Sequence, residues 1–216
     1  MKKVLSAVVV AAALAFAGTA QAQFALDLKV GYAIPTGNVV SSGTVSQSMS
    51  DTWSGSLPLG VDGRYRFTPN LSAGIYFQWN PAFVASNFCN GIDVGVTCTG
   101  SDMRLGLEVM YGFNPTGMNP WVSLGTGWQW TNISASLNGQ SGGATYSGWE
   151  YFNVQVGVDF PLSKLFAIGP YVGYFGGTYT SVNATGNATV TDTSIPSSLR
   201  SFHGWFQFGA KGTFNF

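Results

Sequence analysis

The 216-residue chain is only 8% charged, with nine basic and nine acidic residues, while aromatics reach 15% and glycines number 29. Soluble domains carry ~25% charge, so much of this surface faces something other than water, and the zero net charge leaves no basic patch for nucleic acid. Beyond the N-terminal segment no stretch approaches the ~18 consecutive apolar residues of a spanning helix, which leaves a closed β-barrel as the way to cross a membrane.

The N-terminal segment has Lys2 and Lys3, an apolar run from Val4 to about Gly18, and Ala20 and Ala22 around Gln21. This is the pattern of a secretory signal peptide over 1–22, cut after Ala22. A retained spanning helix would need a run of ~20 residues and would not end in A-x-A. Residues 23–216 are then one domain.

Eight segments follow with a period of two, the spacing of β-strands. In 24–34, Phe24, Leu26, Leu28, Val30 and Tyr32 lie on one face and Asp27 and Lys29 on the other. In 53–67, Trp53, Leu57, Leu59, Val61, Tyr65 and Phe67 oppose Asp62, Arg64 and Arg66. The third, from Leu71, sets Ile75, Phe77 and Trp79 against Tyr76, Gln78 and Asn80, and the fourth sets Met103 to Phe113 against Asp102, Arg104 and Glu108. The fifth carries Trp128 and Trp130 opposite Gly127 and Gln129, and the sixth carries Phe152 to Phe160 opposite Tyr151, Asn153, Gln155 and Asp159. The seventh alternates Ile168, Val172 and Tyr174 with Gly169, Tyr171 and Phe175. The eighth, 202–216, alternates Phe202, Phe206, Phe208, Phe214 and Phe216 with His203, Gln207 and Lys211.

Connections alternate in length. Turn-rich TPN, NPTGMN and PLSK follow the even segments, and long Ser/Thr/Gly/Asn-rich stretches cover about 36–52, 82–100, 131–147 and 178–200. Short periplasmic turns with long extracellular loops are the habit of bacterial outer-membrane barrels, and an even strand number puts both termini in the periplasm. The second long stretch holds the only cysteines, Cys89 and Cys98, which export and a short intervening loop favour as a disulfide.

In this topology the apolar face carries aromatics at both strand ends and aliphatics between, as two girdles around a membrane-facing band do. Every charge well inside a segment lies on the opposite parity. A soluble barrel would put its charges outside, and its interior would be crowded with more rings than ~eight strands can hold. The fold expected is an all-β, eight-stranded, antiparallel up-and-down transmembrane β-barrel.

The whole mature chain resembles the small eight-stranded outer-membrane barrels of the OmpA/OmpX/OmpW-like type. GYAIPTGN (31–38), LPLGVDGRYRFTPNLSAGIYFQW (57–79), DMRLGLEVMYGFNP (102–115) and HGWFQFGAKGTFNF (203–216) look more narrowly like an outer-membrane barrel group of myxobacteria-type Gram-negative bacteria. The resemblance implies an outer-membrane location, lipid and lipopolysaccharide around the wall, and a barrel-assembly machinery that reads Phe216 as its signal. By parity alone Phe216 is the last girdle residue.

The inward bases Lys29, Arg64, Arg66, Arg104 and Lys211 balance the acids Asp27, Asp62, Asp102, Glu108 and Asp159. Balance predicts pairing across the lower lumen as a polar plug rather than a one-sign channel lining. Inward glycines either leave room for long side chains to fold across or serve curvature and closure. Toward the mouth Trp149, Tyr151, Phe175, Tyr179, His203 and Trp205 share the inward parity, either as a vestibule for a small apolar ligand or as filling of the upper lumen. Ser201 and His203 share a face, but a nucleophile and base also need an orienting acid and an oxyanion donor, and nothing in the sequence places Asp102 beside them. No phosphate loop or metal-ligand cluster stands out, so neither cofactor nor metal is expected. The reading is a non-enzymatic barrel with a structural or surface-interaction role toward an extracellular partner that the sequence does not identify. The alternative is a narrow channel or binder for small, apolar solutes.

Overall fold

The computed structural model describes residues 23–42, 45–90, 95–137, 140–185 and 191–216. The expected leader at 1–22 lies outside the described residues. Strand β1 (Phe24–Ser42) is followed by β2 (Val45–Ser48), a single helical turn α1 (Met49–Thr52), β3 (Trp53–Ser56), β4 (Leu59–Arg66), β5 (Leu71–Val84), the short helix α2 (Ser86–Asn90), β6 (Thr97–Gly112) and β7 (Asn119–Leu137). Then come β8 (Gln140–Pro161), β9 (Phe166–Thr185), β10 (Thr191–Ser194), a 3₁₀ turn at Ser197–Leu199 and β11 (Phe202–Asn215). All neighbours are antiparallel. They form a ring of eight, β1, β3 with β4, β5, β6, β7, β8, β9 and β11, and β11 pairs back onto β1.

The ring closes where two glycines meet. Gly31 of β1 lies opposite Gly209 of β11, and a Cβ on either would come within 2.2 Å of Phe208 O or 2.1 Å of Val30 O. Only glycine permits this approach at the seam.

The two parities separate as the alternation requires. Val30, Leu107 and Leu124 are 53%, 63% and 59% exposed on the outer wall, whereas Asp27, Asp102 and Lys211 on the inner wall are at 0%. Outside water an unpaired strand edge costs several kcal/mol for each orphaned backbone group, and the complete ring has none.

Two features depart from the sequence reading. The long connections are mostly strand: β1, β7, β8 and β9 continue well past the aliphatic band as polar ribbons. Their Ser and Thr pair across strands, as in Ser147 Oγ with Ser181 Oγ at 2.8 Å and Thr145 Oγ1 donating to Asn132 Oδ1 at 2.6 Å. Ser, Thr, Gly and Asn dominate these ribbons, and the few apolar side chains that pack inward, Val39, Ile133, Tyr146 and Val182, make no regular alternation to read. Trp53, expected in the outer girdle, is instead 2% exposed in the upper lumen. The second strand is broken between β3 and β4 at Leu57 and Pro58, and a register shift between Trp53 and Gly55 resets the parity above the break.

Cys89 of α2 and Cys98 of β6 form a disulfide, nine residues apart in sequence. A loop this short contributes ~2–3 kcal/mol in the chain-entropy model, and it ties α2 to the rim rather than the wall to itself. Reduction is expected to increase amide exchange in α2 while the folded gel mobility of the barrel persists. Loss of the folded band on reduction would contradict this division.

Candidate functional site in the lumen

The lower lumen is spanned by ion pairs. The Arg64 guanidinium, from β4, donates from Nε to Asp27 Oδ2 and from NH2 to Asp27 Oδ1, both at 2.8 Å, and from NH1 to Ser72 Oγ at 2.8 Å. A planar fork matched to a carboxylate is the strong form of this interaction. Thr213 of β11 adds a bond to Asp27 Oδ1 at 2.7 Å, so Asp27 is tied to strands on both sides of β1. Lys29 pairs with Asp62, donates to Gln155 Oε1 across the barrel at 2.8 Å, and stands 3.8 Å from Glu108. Lys211 pairs with Asp159 at 3.0 Å and sits 3.9 Å above the ring of Trp121, whose Nε1 donates to the other Asp159 oxygen at 3.0 Å. Arg66 is only partly buried, at the rim beside the C-terminal strand end, where it donates to Asn215 Oδ1.

A belt of amides lies above. Gln78 donates to Asn80 Oδ1 at 2.9 Å and to Gln207 Oε1 at 3.1 Å, and Gln207 in turn donates to the Tyr171 hydroxyl.

The upper cluster centres on Arg104, which faces Asp102 at 2.8 Å and Glu150 at 3.5 Å, with the Phe175 ring 4.8 Å from its guanidinium carbon. Asp102 accepts from Thr131 Oγ1 and Asn80 Nδ2, each at 2.7 Å. Glu150 Oε1 accepts from the Tyr76 hydroxyl at 2.6 Å and from Asn153 at 3.0 Å. Gly106 and Gly127 face each other on β6 and β7, and a Cβ on either would lie 2.4 Å from the Tyr76 oxygen. These two glycines make the room in which the phenol crosses the lumen.

Glu150 is the residue that parity missed. Read in step with Phe152 it would face lipid, yet it is 1% exposed inside the barrel. On β7 one residue separates Gly125 and Gly127, while on β8 two separate their partners Asn153 and Glu150, a bulge with one extra residue. The bulge turns Glu150 inward and puts Trp149 and Tyr151 outside at 44% and 53% exposure. Those two rings therefore do not line the lumen. The available signal was the carboxylate itself, since a charge on the lipid parity is costly.

Of the other vestibule residues, Phe175, Tyr179, His203 and Trp205 are all buried inside. The Tyr179 and His203 rings stack at 3.9 Å, Gln129 meets His203 Nε2 at 2.7 Å, and Tyr179 shares a 2.8 Å bond with Thr131. The space above them is filled. Met49, Ile195, Trp53, Val39, Ala33 and Ala82 join Tyr179 and Trp205 in one apolar cluster that closes the mouth. Asp102, the candidate acid for His203, is engaged by Thr131, Asn80 and Arg104.

Asp27, Asp62 and Glu108 bring carboxylate oxygens within 4.8 Å of one another, close enough to hold a cation. Lys29 and Arg64 already stand among them as counter-charges, so the arrangement is an internal ion-pair lattice.

No family model matches the chain, and no curated protein matches it in sequence. Solved structures do match in fold. OprG, an outer-membrane protein of Pseudomonas aeruginosa, is 12% identical with a TM-score of 0.54, over 90% of this chain and 97% of its own. A major outer-membrane protein of Thermus thermophilus is 9% identical with a TM-score of 0.54, over 88% of this chain and 99% of its own. The outer-membrane protein AlkL is 14% identical with a TM-score of 0.53, over 93% of both chains. The architecture is that of small outer-membrane β-barrels, as the sequence resemblance implied.

Proposed function

We propose that this chain is an integral outer-membrane barrel with a non-enzymatic, structural or surface-interaction role and a lumen closed to solutes. The observation that carries the reading is the lattice of buried ion pairs and amides from Asp27–Arg64 up to Asp102–Arg104, in which long side chains from facing strands meet across the interior. Balanced, mutually bonded charges suit a plug, whereas a conducting filter keeps a one-sign or carbonyl-lined path. In that setting the outer wall meets lipid and lipopolysaccharide. Phe216 serves the barrel-assembly machinery, and the polar ribbons above the band meet the outside.

In planar bilayers the wild-type barrel is then expected to be near-silent. Steady conductance of a water-filled pore would defeat this reading and favour a narrow channel for small solutes. Orientation has its own test, because both termini are placed in the periplasm. Single cysteines at Ser46 and Thr185 should react with an impermeant thiol reagent on intact cells, and one at Thr116 should not. Equal labelling at all three positions would reverse or void the topology.

A further inference from the structure

The buried side chains of the lower lumen are one positive charge short. Asp27, Asp62, Glu108 and Asp159 face Lys29, Arg64 and Lys211, while Arg66 stands partly exposed at the rim on Asn215. The deficit falls on Glu108. Arg64 spends Nε, NH1 and NH2 on Asp27 and Ser72, and Lys29 pairs with Asp62 and donates to Gln155. Their nitrogens stop 3.9 and 3.8 Å from the Glu108 oxygens, beyond hydrogen-bond reach. Glu108 faces Gly74 on β5 and Gly125 on β7, which bring no side-chain donor. Its side chain is at 0% exposure, and neither carboxylate oxygen has a hydrogen-bond partner. The upper cluster also has one acid too many, but there Tyr76 and Asn153 bond Glu150, and Thr131 and Asn80 bond Asp102. Ser123, one inward step along β7 from Gly125, likewise keeps a buried hydroxyl without a partner.

A carboxylate buried without a hydrogen bond carries the full cost of its lost hydration. A cation beside it removes that cost, and the oxygens for one are gathered: Asp27, Asp62 and Glu108 bring theirs within 4.8 Å of one another. We propose that these three carboxylates hold one hard monovalent cation of the sodium class, which completes the charge balance of the lattice. The charge count selects the class. A divalent ion would overshoot the single missing charge with Lys29 and Arg64 both within 4 Å of Glu108. Calcium moreover takes 6–8 oxygens and magnesium a near-ideal octahedron, and soft metals take thiolate or imidazole, which this cluster lacks. The proposal rests on the closed-lumen reading, because water admitted to the lattice would solvate Glu108 by itself. The ligands come from β1, β4 and β6, so only the folded ring assembles the site.

An ion bound by the folded state alone stabilises it by mass action, which sets the test. The full barrel is unfolded and refolded in urea with phosphatidylcholine vesicles, sodium being exchanged for choline at constant ionic strength. Above the dissociation constant, each tenfold rise in sodium should raise the wild-type folding equilibrium constant about tenfold, the slope of one bound ion. Glu108→Gln keeps the shape, leaves three acids to three bases, and should lose that slope. A flat wild-type response overturns the site whether or not Glu108→Gln folds. A slope that persists in Glu108→Gln places the ion elsewhere and overturns it too, and a larger rise in calcium than in sodium overturns the single charge. Sodium independence together with an infrared carboxylic-acid band that vanishes in Glu108→Gln would give the missing charge to a proton, against the proposal. Planar-bilayer conductance of the same preparation separates the two readings. A silent, sodium-insensitive barrel loses the ion and keeps the plug, whereas a conducting, sodium-insensitive one loses the ion because the plug has failed.

Discussion

Arg64→Ala is expected to destabilise the barrel by about 3–5 kcal/mol, the cost of stranding a buried partner charge. Asp27 is at 0% exposure and takes both of its strongest bonds from this guanidinium. Without it the carboxylate keeps Thr213 at 2.7 Å and a distant Lys211 at 3.9 Å. The double variant Arg64→Ala/Asp27→Asn should recover part of the loss, because the neutral amide no longer demands a counter-charge. Replacing both members is expected to cost less than the sum of the single changes. Urea unfolding in lipid vesicles measures all three against wild type. An Arg64→Ala loss within ~1 kcal/mol would mean that water enters freely and solvates Asp27, which is the behaviour of an open lumen and not of a dry lattice.

The wall was legible in the sequence because a membrane-facing strand enforces its alternation. A one-residue error would put Asp27 or Arg104 into lipid, so the register is strongly specified wherever charges punctuate the inner parity. Nine of the ten charges on that parity lie buried in the interior, whereas Arg66, expected with them, is only partly buried at the rim. It fails where the backbone inserts a residue. Nothing in GWEYF marks Tyr151 as the extra one, and the bulge there exchanges the faces of Glu150, Trp149 and Tyr151. The register shift between Trp53 and Gly55 does the same for Trp53. The mouth was hidden for another reason. Met49 and Ile195 lie in Ser/Thr-rich stretches with no periodicity, and their burial follows from long-range packing against Tyr179 and Trp205 that no local pattern encodes. Glycines were ambiguous in the sequence, and the structure separates their roles: Gly31 and Gly209 permit closure, while Gly106 and Gly127 make way for Tyr76.

Closure at two depths makes conductance a series problem. Below, Arg64 and Arg104 anchor the polar lattice; above, Met49 and Ile195 seal the mouth with apolar surface, a constriction that blocks by excluding water. In a lumen closed as proposed, either barrier is expected to suffice alone. Arg64→Ala/Arg104→Ala is therefore expected to stay near-silent, and so is Met49→Ser/Ile195→Ser, which wets only the mouth. Combining the four substitutions removes both barriers and should produce steady conductance. The lining left behind is acidic: Asp27, Asp62, Asp102, Glu108, Glu150 and Asp159 against Lys29 and Lys211 among the buried residues. Carboxylate-lined pores favour cations, so the reversal potential in a salt gradient should move toward the cation equilibrium value. Conductance from the two arginine substitutions alone, equal to that of the combined variant, would show that the apolar cluster is not a seal. A silent combined variant would place the block in the amide belt of Gln78, Gln207 and Tyr171, and would refute the claim that water follows the removed guanidinium groups.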